Sequence, residues 1–175
     1  MKRYLTILLA CFFVMGAAST IMAADVAKIG VFNYQKFLAN SKAGQKVRAL
    51  LNIKKKQFEK KLSAKRDEIQ NISKELDRES MVMSPEKQKD KMRAQRIKIN
   101  DFKDMEKRFT QELKKIEYLE TKKIYKEVVG IIEKLGKKAN YLLIVNEKAV
   151  LYSPSQIDLT DKIIKVHNKK FSSNG

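Results

Sequence analysis

Long stretches of the chain repeat apolar residues at steps of three and four, which is the spacing of a coiled-coil seam. Between residues 34 and 79 there is no proline, and the only glycine is Gly44. Asn33 offers a side-chain oxygen that can cap a helix, so the pattern predicts a first long helix from Tyr34 to about Glu79. Its narrow apolar stripe contains Val47, Leu51, Phe58, Leu62, Ile69, Ile72 and Leu76.

A second helical stripe follows the segment Ser80–Lys87. Ser84 before Pro85 is a helix-start signal, because serine caps free N–H groups and proline fits the first helical position. The stripe continues to about Lys138, with Gly136 near the expected end. Its members are Met92, Ile99, Phe102, Phe109, Leu113, Ile116, Ile124, Val128, Ile131 and Leu135.

Two helices of similar length joined by a short turn predict an antiparallel coiled-coil hairpin. It occupies residues 34–139, has its tip near residues 80–86, and should be about 65 to 75 Å long at 1.5 Å per residue. So narrow a stripe covers one partner helix, and therefore the rest of the surface must face water.

Short apolar runs flank the hairpin on both sides. Val26–Phe32 precedes it and has the β-branched composition of a strand. After it, Tyr141–Val145 and Ala149–Tyr152 predict two more strands, joined by a turn at Asn146–Lys148. The fold class is therefore mainly α with a small β body.

The predicted body, residues 24–33 and 140–170, is too small to be stable alone. Besides the strands it offers one helix, from Leu159 to about Lys169, which Asp158 can cap. Three short strands under one helix cannot hide both the faces and the edges of a sheet. Strands from several chains joined into an inter-subunit β-barrel would remove the edges, so we expect an oligomer.

Residues 1–23 have the pattern of a secretory signal peptide. Lys2 and Arg3 precede an apolar run, and small residues follow up to Ala23, after which we expect cleavage. Cleavage after Ala24 is the alternative. A transmembrane anchor would need about 20 unbroken apolar residues.

The one cysteine, Cys11, lies within this signal. The run Leu8–Cys11 has the shape of a lipoprotein box, but the apolar segment continues past the cysteine. We therefore interpret Cys11 as part of the signal's apolar core. The mature chain, residues 24–175, then has neither a disulfide nor a thiol nucleophile.

Positive charge is the strongest feature of the composition. The formal net charge is +18, and removing the signal lowers it by only two. Such a protein attracts nucleic acid, anionic lipid head groups and acidic unfolded polypeptides. The charge is spread along both helices without clustered stacking aromatics, and export separates the chain from the chromosome. We therefore do not expect nucleic acid as a physiological partner.

Catalytic chemistry is not expected from the residues present. The only histidine, His167, lies among lysines of the last predicted helix, and we expect it on the surface. No glycine-rich phosphate loop and no cluster of metal-ligand residues is visible. The sequence predicts no cofactor, no metal and no enzymatic activity.

Met81, Val82 and Met83 stand at the predicted tip. They could simply close the end of the seam. Alternatively, flexible methionines exposed at a tip provide adaptable apolar contacts for a client without defined shape.

Two blocks of the sequence resemble the Skp/OmpH-like periplasmic chaperones of Gram-negative bacteria. They are KIGVFNYQKFLANSKAGQKV, residues 28–47, and AVLYSPSQIDLTDKIIK, residues 149–165. The resemblance implies a homotrimer with a β-barrel body and three helical tentacles around a cavity. It further implies an ATP-independent holdase that keeps unfolded outer-membrane proteins soluble until insertion.

The same resemblance places particular residues. The trimer body would include Ile29, Val31, Leu143, Val145, Val150 and Leu151, and the tentacle tip would be Met81–Pro85. An anionic lipid or lipopolysaccharide is a further partner that some family members bind. The alternative function is a basic coiled coil that binds nucleic acid or envelope polyanions and has no chaperone role.

Overall fold

The computed structural model describes residues 27–173, which form one long helical hairpin on a small base. The predicted signal peptide and Val26 lie outside the described residues. Within the described part of the chain, no helix is both long enough and apolar enough to cross a membrane. The elements in chain order are β1 (Ile29–Phe32), α1 (Tyr34–Asn40), α2 (Lys42–Glu79), α3 (Pro85–Lys138), β2 (Leu143–Asn146) and α4 (Thr160–Ser173), with short 3-10 turns at Glu147–Ala149 and Ser155–Ile157.

The hairpin consists of α2 packed antiparallel along α3. The predicted helix start is confirmed, since the Ser84 hydroxyl accepts the Lys87 N–H and Pro85 occupies the first helical turn. With 54 residues, α3 is about 80 Å long at 1.5 Å per residue. The Phe58 and Phe109 rings stack across the seam with centroids 4.1 Å apart. Towards the tip the seam thins, and Met92, predicted to belong to it, is 51% exposed.

The first long helix is broken near its start, which the sequence pattern did not predict. Ser41 has an extended backbone and its hydroxyl accepts the Gly44 N–H, so α1 ends and α2 begins at this residue. A Cβ on Gly44 would lie 1.9 Å from the Leu38 carbonyl oxygen. Only glycine allows the two helices to approach this closely at the break.

The core lies at the base, where α1, α3, α4 and the lower part of α2 meet. Its buried residues are Phe32, Phe37, Ala43, Val47, Ile124, Val128, Ile131, Leu159, Ile163 and Ile164. Burial is therefore concentrated at one end of the molecule, and the hairpin extends away from it.

The prediction that His167 lies on the surface is wrong. Its side chain is 1% exposed, edge-on to the Phe37 ring at 5.1 Å between centroids and stacked near Phe171 at 6.1 Å. The Nε2 atom lies 3.1 Å from a Glu127 carboxylate oxygen on α3. His167 follows Ile163 and Ile164 on the buried stripe of α4, and therefore the lysines near it occupy the other faces.

The end of α3 is set by asparagine and not by Gly136. The helix continues to Lys138, and Asn140 adopts a left-handed conformation with φ of 53°. The Tyr141 N–H then donates to the Gly136 carbonyl, as in a Schellman cap. This cap delays the following strand, so β2 begins at Leu143 and the predicted start at Tyr141 is wrong.

The strands β1 and β2 form a parallel pair with Ile29 opposite Leu143 and Val31 opposite Val145. The predicted third strand, Ala149–Tyr152, is absent from the described part of a single chain. The Asn146 side chain accepts the Lys148 N–H and starts the 3-10 turn Glu147–Ala149 in place of a hairpin turn. Asp158 instead forms an isolated parallel bridge with Val31.

Replacing Gly44 with alanine should destabilise the base by about 1–3 kcal/mol, because the added methyl group overlaps the Leu38 carbonyl. Gly130 provides the matched control, since a Cβ there meets nothing within 4 Å. Gly130→Ala should stabilise α3 by about 0.5–1 kcal/mol. Urea unfolding followed by circular dichroism measures both changes. Equal effects of the two substitutions would contradict the close approach at Gly44.

Candidate functional site

Residues 27–173 contain neither a metal-binding cluster nor an exposed histidine. No group of His, Cys, Asp and Glu among residues 27–173 could hold a metal ion. His167 is sealed between Phe37 and Phe171, so its imidazole cannot reach a substrate at the surface. The surfaces able to bind something are an apolar region of the base, the tip of the hairpin, and a basic stretch of α2.

The strand pair buries one face and leaves part of the other bare. On the covered face, a Cβ on Gly30 would lie 2.4 Å from Leu159 Cδ1, and Ile144 packs against the core. On the opposite face, Ile29 is 43% exposed and its register partner Leu143 is 52% exposed. A parallel pair normally has both faces covered, so these side chains lack a covering layer in a single chain.

We call the exposed large apolar residues of β1, β2 and the segments that flank β2 the base apolar set. They are Ile29, Leu142, Leu143, Leu151 and Tyr152. The last two lie where the third strand was predicted, and Leu151 is fully exposed while Tyr152 is 84% exposed. Exposed apolar side chains concentrated in one part of a molecule usually mark an interaction surface.

The six residues expected in the trimer body therefore have different environments. Ile29, Leu143 and Leu151 are exposed, whereas Val145 and Val150 are half-buried. Val31 is 3% exposed and already belongs to the interior of one chain. Leu142 and Tyr152 were not singled out from the sequence, although Tyr152 ends a predicted strand and could have been found from that pattern.

Polar contacts fix the loop before α4 against β1 and α1. The Asn33 N–H donates to the Thr160 hydroxyl at 2.9 Å, and the Asn33 side chain bonds to Glu147. Lys36 lies 3.1 Å from Asp158 and 3.2 Å from Asp161. These contacts position the loop that carries Leu151 and Tyr152.

The charge contacts of this loop shift two pKa values. The hydrogen bonds that Lys36 donates to Asp158 and then to Asp161 raise the pKa of the Lys36 ammonium. Burial alone would raise the pKa of the Asp158 carboxyl. The hydrogen bonds from Thr160 and Lys36 outweigh that effect, and the Asp158 pKa lies below its ordinary value.

The tip presents two almost fully exposed apolar side chains. Met81 is 97% exposed and Val82 is 85% exposed, whereas Met83 is half-buried. The turn is held by its backbone, since the N–H groups of Val82 and Met83 both donate to the Glu79 carbonyl at 3.0 Å. Met81 and Val82 are therefore displayed towards solvent and do not close the seam.

An ion-pair bridge stabilises the hairpin next to the tip. Lys91 on α3 lies 3.0 Å from the Glu75 carboxylate and 3.3 Å from that of Glu79 on α2. The hydrogen bond to Glu75 is the main cause that raises the pKa of Lys91. Being exposed, these pairs orient the helix ends more than they stabilise the fold.

A basic band, Lys54–Arg66, covers about three and a half turns of α2. Within the described residues, Lys55 pairs with Glu59 and Lys65 pairs with Glu68. Hydrogen bonds from Lys98 and then Lys65 lower the pKa of Glu68. The band's other cations form no ion pair within residues 27–173: Lys54, Lys56, Lys60, Lys61 and Arg66.

An open groove of about 540 Å³ runs between the two long helices beside this band. Its floor is apolar and contains Phe58, Leu62, Phe109 and Leu113, and its rim carries Lys55, Lys103 and Lys107 together with Glu59 and Glu106. Such a surface can contact an extended apolar and acidic chain, but it contains no enclosed pocket for a small molecule.

Comparison with known proteins gives a family match and a fold match. The family model described as outer membrane protein (OmpH-like) matches residues 28–166. Comparison with curated protein sequences gives no significant match. The structure is similar to that of a proposed outer membrane chaperone (OmpH-like) from Caulobacter crescentus CB15, with a TM-score of 0.76 and 17% identity, covering 83% of this chain and 86% of that chain.

Lowering the pH should reduce the free energy of unfolding, because protonation of Asp158 weakens its contacts at the base of the molecule. Because the folded pKa of Asp158 is lowered, the unfolded chain binds more protons near its own pKa of about 3.9. The contribution of ionised Asp158 to the free energy of unfolding is therefore present above about pH 4, and it is lost as the pH falls through the folded pKa. Asp158→Asn should cost at most about 1 kcal/mol at neutral pH and flatten the fall in unfolding free energy with acid.

Thermal unfolding from about pH 6 down to about pH 3 measures this profile. Asp67→Asn, which changes an exposed carboxylate on α2, is the control. A profile for Asp158→Asn as steep as that of the unchanged protein would contradict the assignment.

Proposed function

The chain belongs to the OmpH-like family of outer membrane proteins, and from this membership we propose that it is an ATP-independent holdase chaperone. Its proposed clients are unfolded outer-membrane proteins, which it keeps soluble in the periplasm before their insertion. The predicted signal peptide would bring it there. The observation that carries the proposal is a basic hairpin, with a longer helix of about 80 Å, that displays Met81 and Val82 at its free end.

We infer a holding mechanism based on many weak contacts. The unpaired cations of the basic band attract acidic stretches of a client, and the apolar groove floor and tip contact exposed side chains. Several such contacts on one flexible chain act together, because each bound segment raises the effective concentration of the next. Binding lowers the free concentration of the unfolded client by mass action and requires neither a cofactor nor nucleotide hydrolysis.

We propose that the working form is a homotrimer whose base is a shared β-barrel. The exposed part of the strand pair, Ile29 and Leu143, supports this, because the hairpin extends away from it and the core lies on the opposite face. The outer edge of β2 has no strand neighbour within the described chain. Neighbouring copies would cover the base apolar set and extend the sheet, which removes its free edge.

A second candidate function is polyanion binding without chaperoning, and the unpaired cations of the basic band favour it. Its partner would be an anionic lipid, lipopolysaccharide or nucleic acid. Such binding is Coulombic and weakens steeply with salt, whereas apolar client contacts persist. Binding of heparin at low salt without suppression of client aggregation would favour this candidate over the holdase.

Replacing Leu143 with aspartate should dissociate the trimer. Burying one leucine is worth about 1.5–3 kcal/mol, so we expect the dissociation constant to rise at least about tenfold. Ile97→Asp is a matched control, because Ile97 on α3 is also 52% exposed and lies outside the base. Size-exclusion chromatography with light scattering measures both masses. A trimeric Leu143→Asp variant would contradict the shared base.

Replacing Met81 and Val82 with serine should weaken client retention by about three- to tenfold without changing the trimer, because two exposed apolar contacts are lost. The assay dilutes a urea-unfolded outer-membrane barrel into the protein without ATP and follows light scattering. Ile97→Ser, away from the tip, should cause a smaller loss. If the unchanged trimer fails to suppress aggregation, the holdase proposal is wrong.

A further inference from the structure

The sulfur atoms of the described chain are all thioethers. The one cysteine of the sequence is Cys11, so residues 27–173 contain no thiol. Their four methionines differ widely in exposure: Met81 is 97% exposed and Met92 is 51% exposed, while Met83 and Met105 are half-buried. Among residues 27–173, an oxidant therefore meets one nearly unshielded sulfur, at the end of the hairpin.

Oxidation of the Met81 side chain should not change the stability of the fold, because other groups hold the tip turn together. The tip turn is maintained by backbone hydrogen bonds to the Glu79 carbonyl and by the Lys91 bridge to Glu75 and Glu79. The Met81 side chain contributes to neither. A change of polarity at its sulfur should therefore alter what the tip binds and leave the hairpin intact.

We propose that Met81 is an oxidation site at which a peroxide converts an apolar contact into a polar one. A sulfur lone pair attacks one peroxide oxygen, the O–O bond breaks and a sulfur–oxygen bond forms. For hydrogen peroxide, the attacked oxygen passes its proton to the departing hydroxide, which leaves as water. The thioether loses two electrons and the peroxide gains them. Methionine sulfoxide reductases reverse the change, so the site can cycle.

The consequence for clients rests on the proposed function. Methionine sulfoxide is polar, and it disrupts surfaces that depend on methionine for apolar contact. Val82 stays apolar, so oxidation should weaken client retention at the tip without abolishing it. Because the described chain holds no thiol, this response differs in kind from a disulfide switch.

Peptide mapping by mass spectrometry tests the site without reference to function. The mature full-length protein is treated with hydrogen peroxide, and the addition of one oxygen atom is timed at each methionine. We expect Met81 to be oxidised first, Met92 next, and Met83 and Met105 several-fold more slowly. Oxidation of Met105 as fast as Met81 would overturn the proposal.

A second arm measures client retention with matched variants. Oxidised protein should retain client several-fold more weakly, and Met81→Gln should show the same loss untreated. For Met81→Leu, retention is compared with that of the same variant untreated, and it should not fall at a peroxide dose that oxidises only Met81 in the unchanged protein. Reductase treatment of the oxidised unchanged protein should restore its retention. Equal losses in the unchanged protein and Met81→Leu, or a fall in melting temperature on oxidation, would overturn a role for Met81.

Peptide mapping and client retention test the oxidation site and the holdase function separately. Failure of the untreated trimer to bind client would refute the holdase function and with it the effect on retention. The order of oxidation along the chain would still decide whether Met81 is the reactive sulfur.

Discussion

The architecture depends on an apolar face that its own chain covers only in part. A parallel strand pair is stable when both faces are buried, and within one chain the face towards Leu159 and Ile144 is packed, whereas the other face is buried at Val31 alone. Ile29 and Leu143 lie side by side on the other face and remain exposed. The hairpin cannot fold back over them, because α2 and α3 already bury their narrow stripes against each other.

The core of the base joins the strand pair rigidly to the hairpin. Val128 and Phe37 are fully buried where α1, α3 and α4 meet, and His167 bonds across the junction to Glu127. The hairpin therefore leaves the base in a direction set by close packing. Beyond Phe58 and Phe109 the seam thins, which leaves the outer half of the hairpin with basic faces and an exposed tip. In the proposed function, assembly at one end and client holding at the other therefore place separate requirements on the sequence.

Local signals in the sequence were sufficient to predict the helical hairpin. Ser84 and Pro85 start α3 as predicted because capping depends on neighbouring residues alone. The predictions that were wrong concern features set by packing between elements. The spacing of apolar residues along the chain does not reveal such packing. The break at Ser41 requires the close approach of Gly44 to Leu38, and His167 is buried because α4 docks against α1 and α3. The third strand is absent from the described single chain, and the proposed trimer would be the setting in which Leu151 and Tyr152 find a partner.

Sedimentation equilibrium of the mature protein over a range of concentrations tests the central claim most directly. The account predicts a species with three times the mass of one chain at micromolar concentration, dissociating only on strong dilution. A folded monomer at that concentration, with Ile29 and Leu143 accessible to solvent, would contradict it.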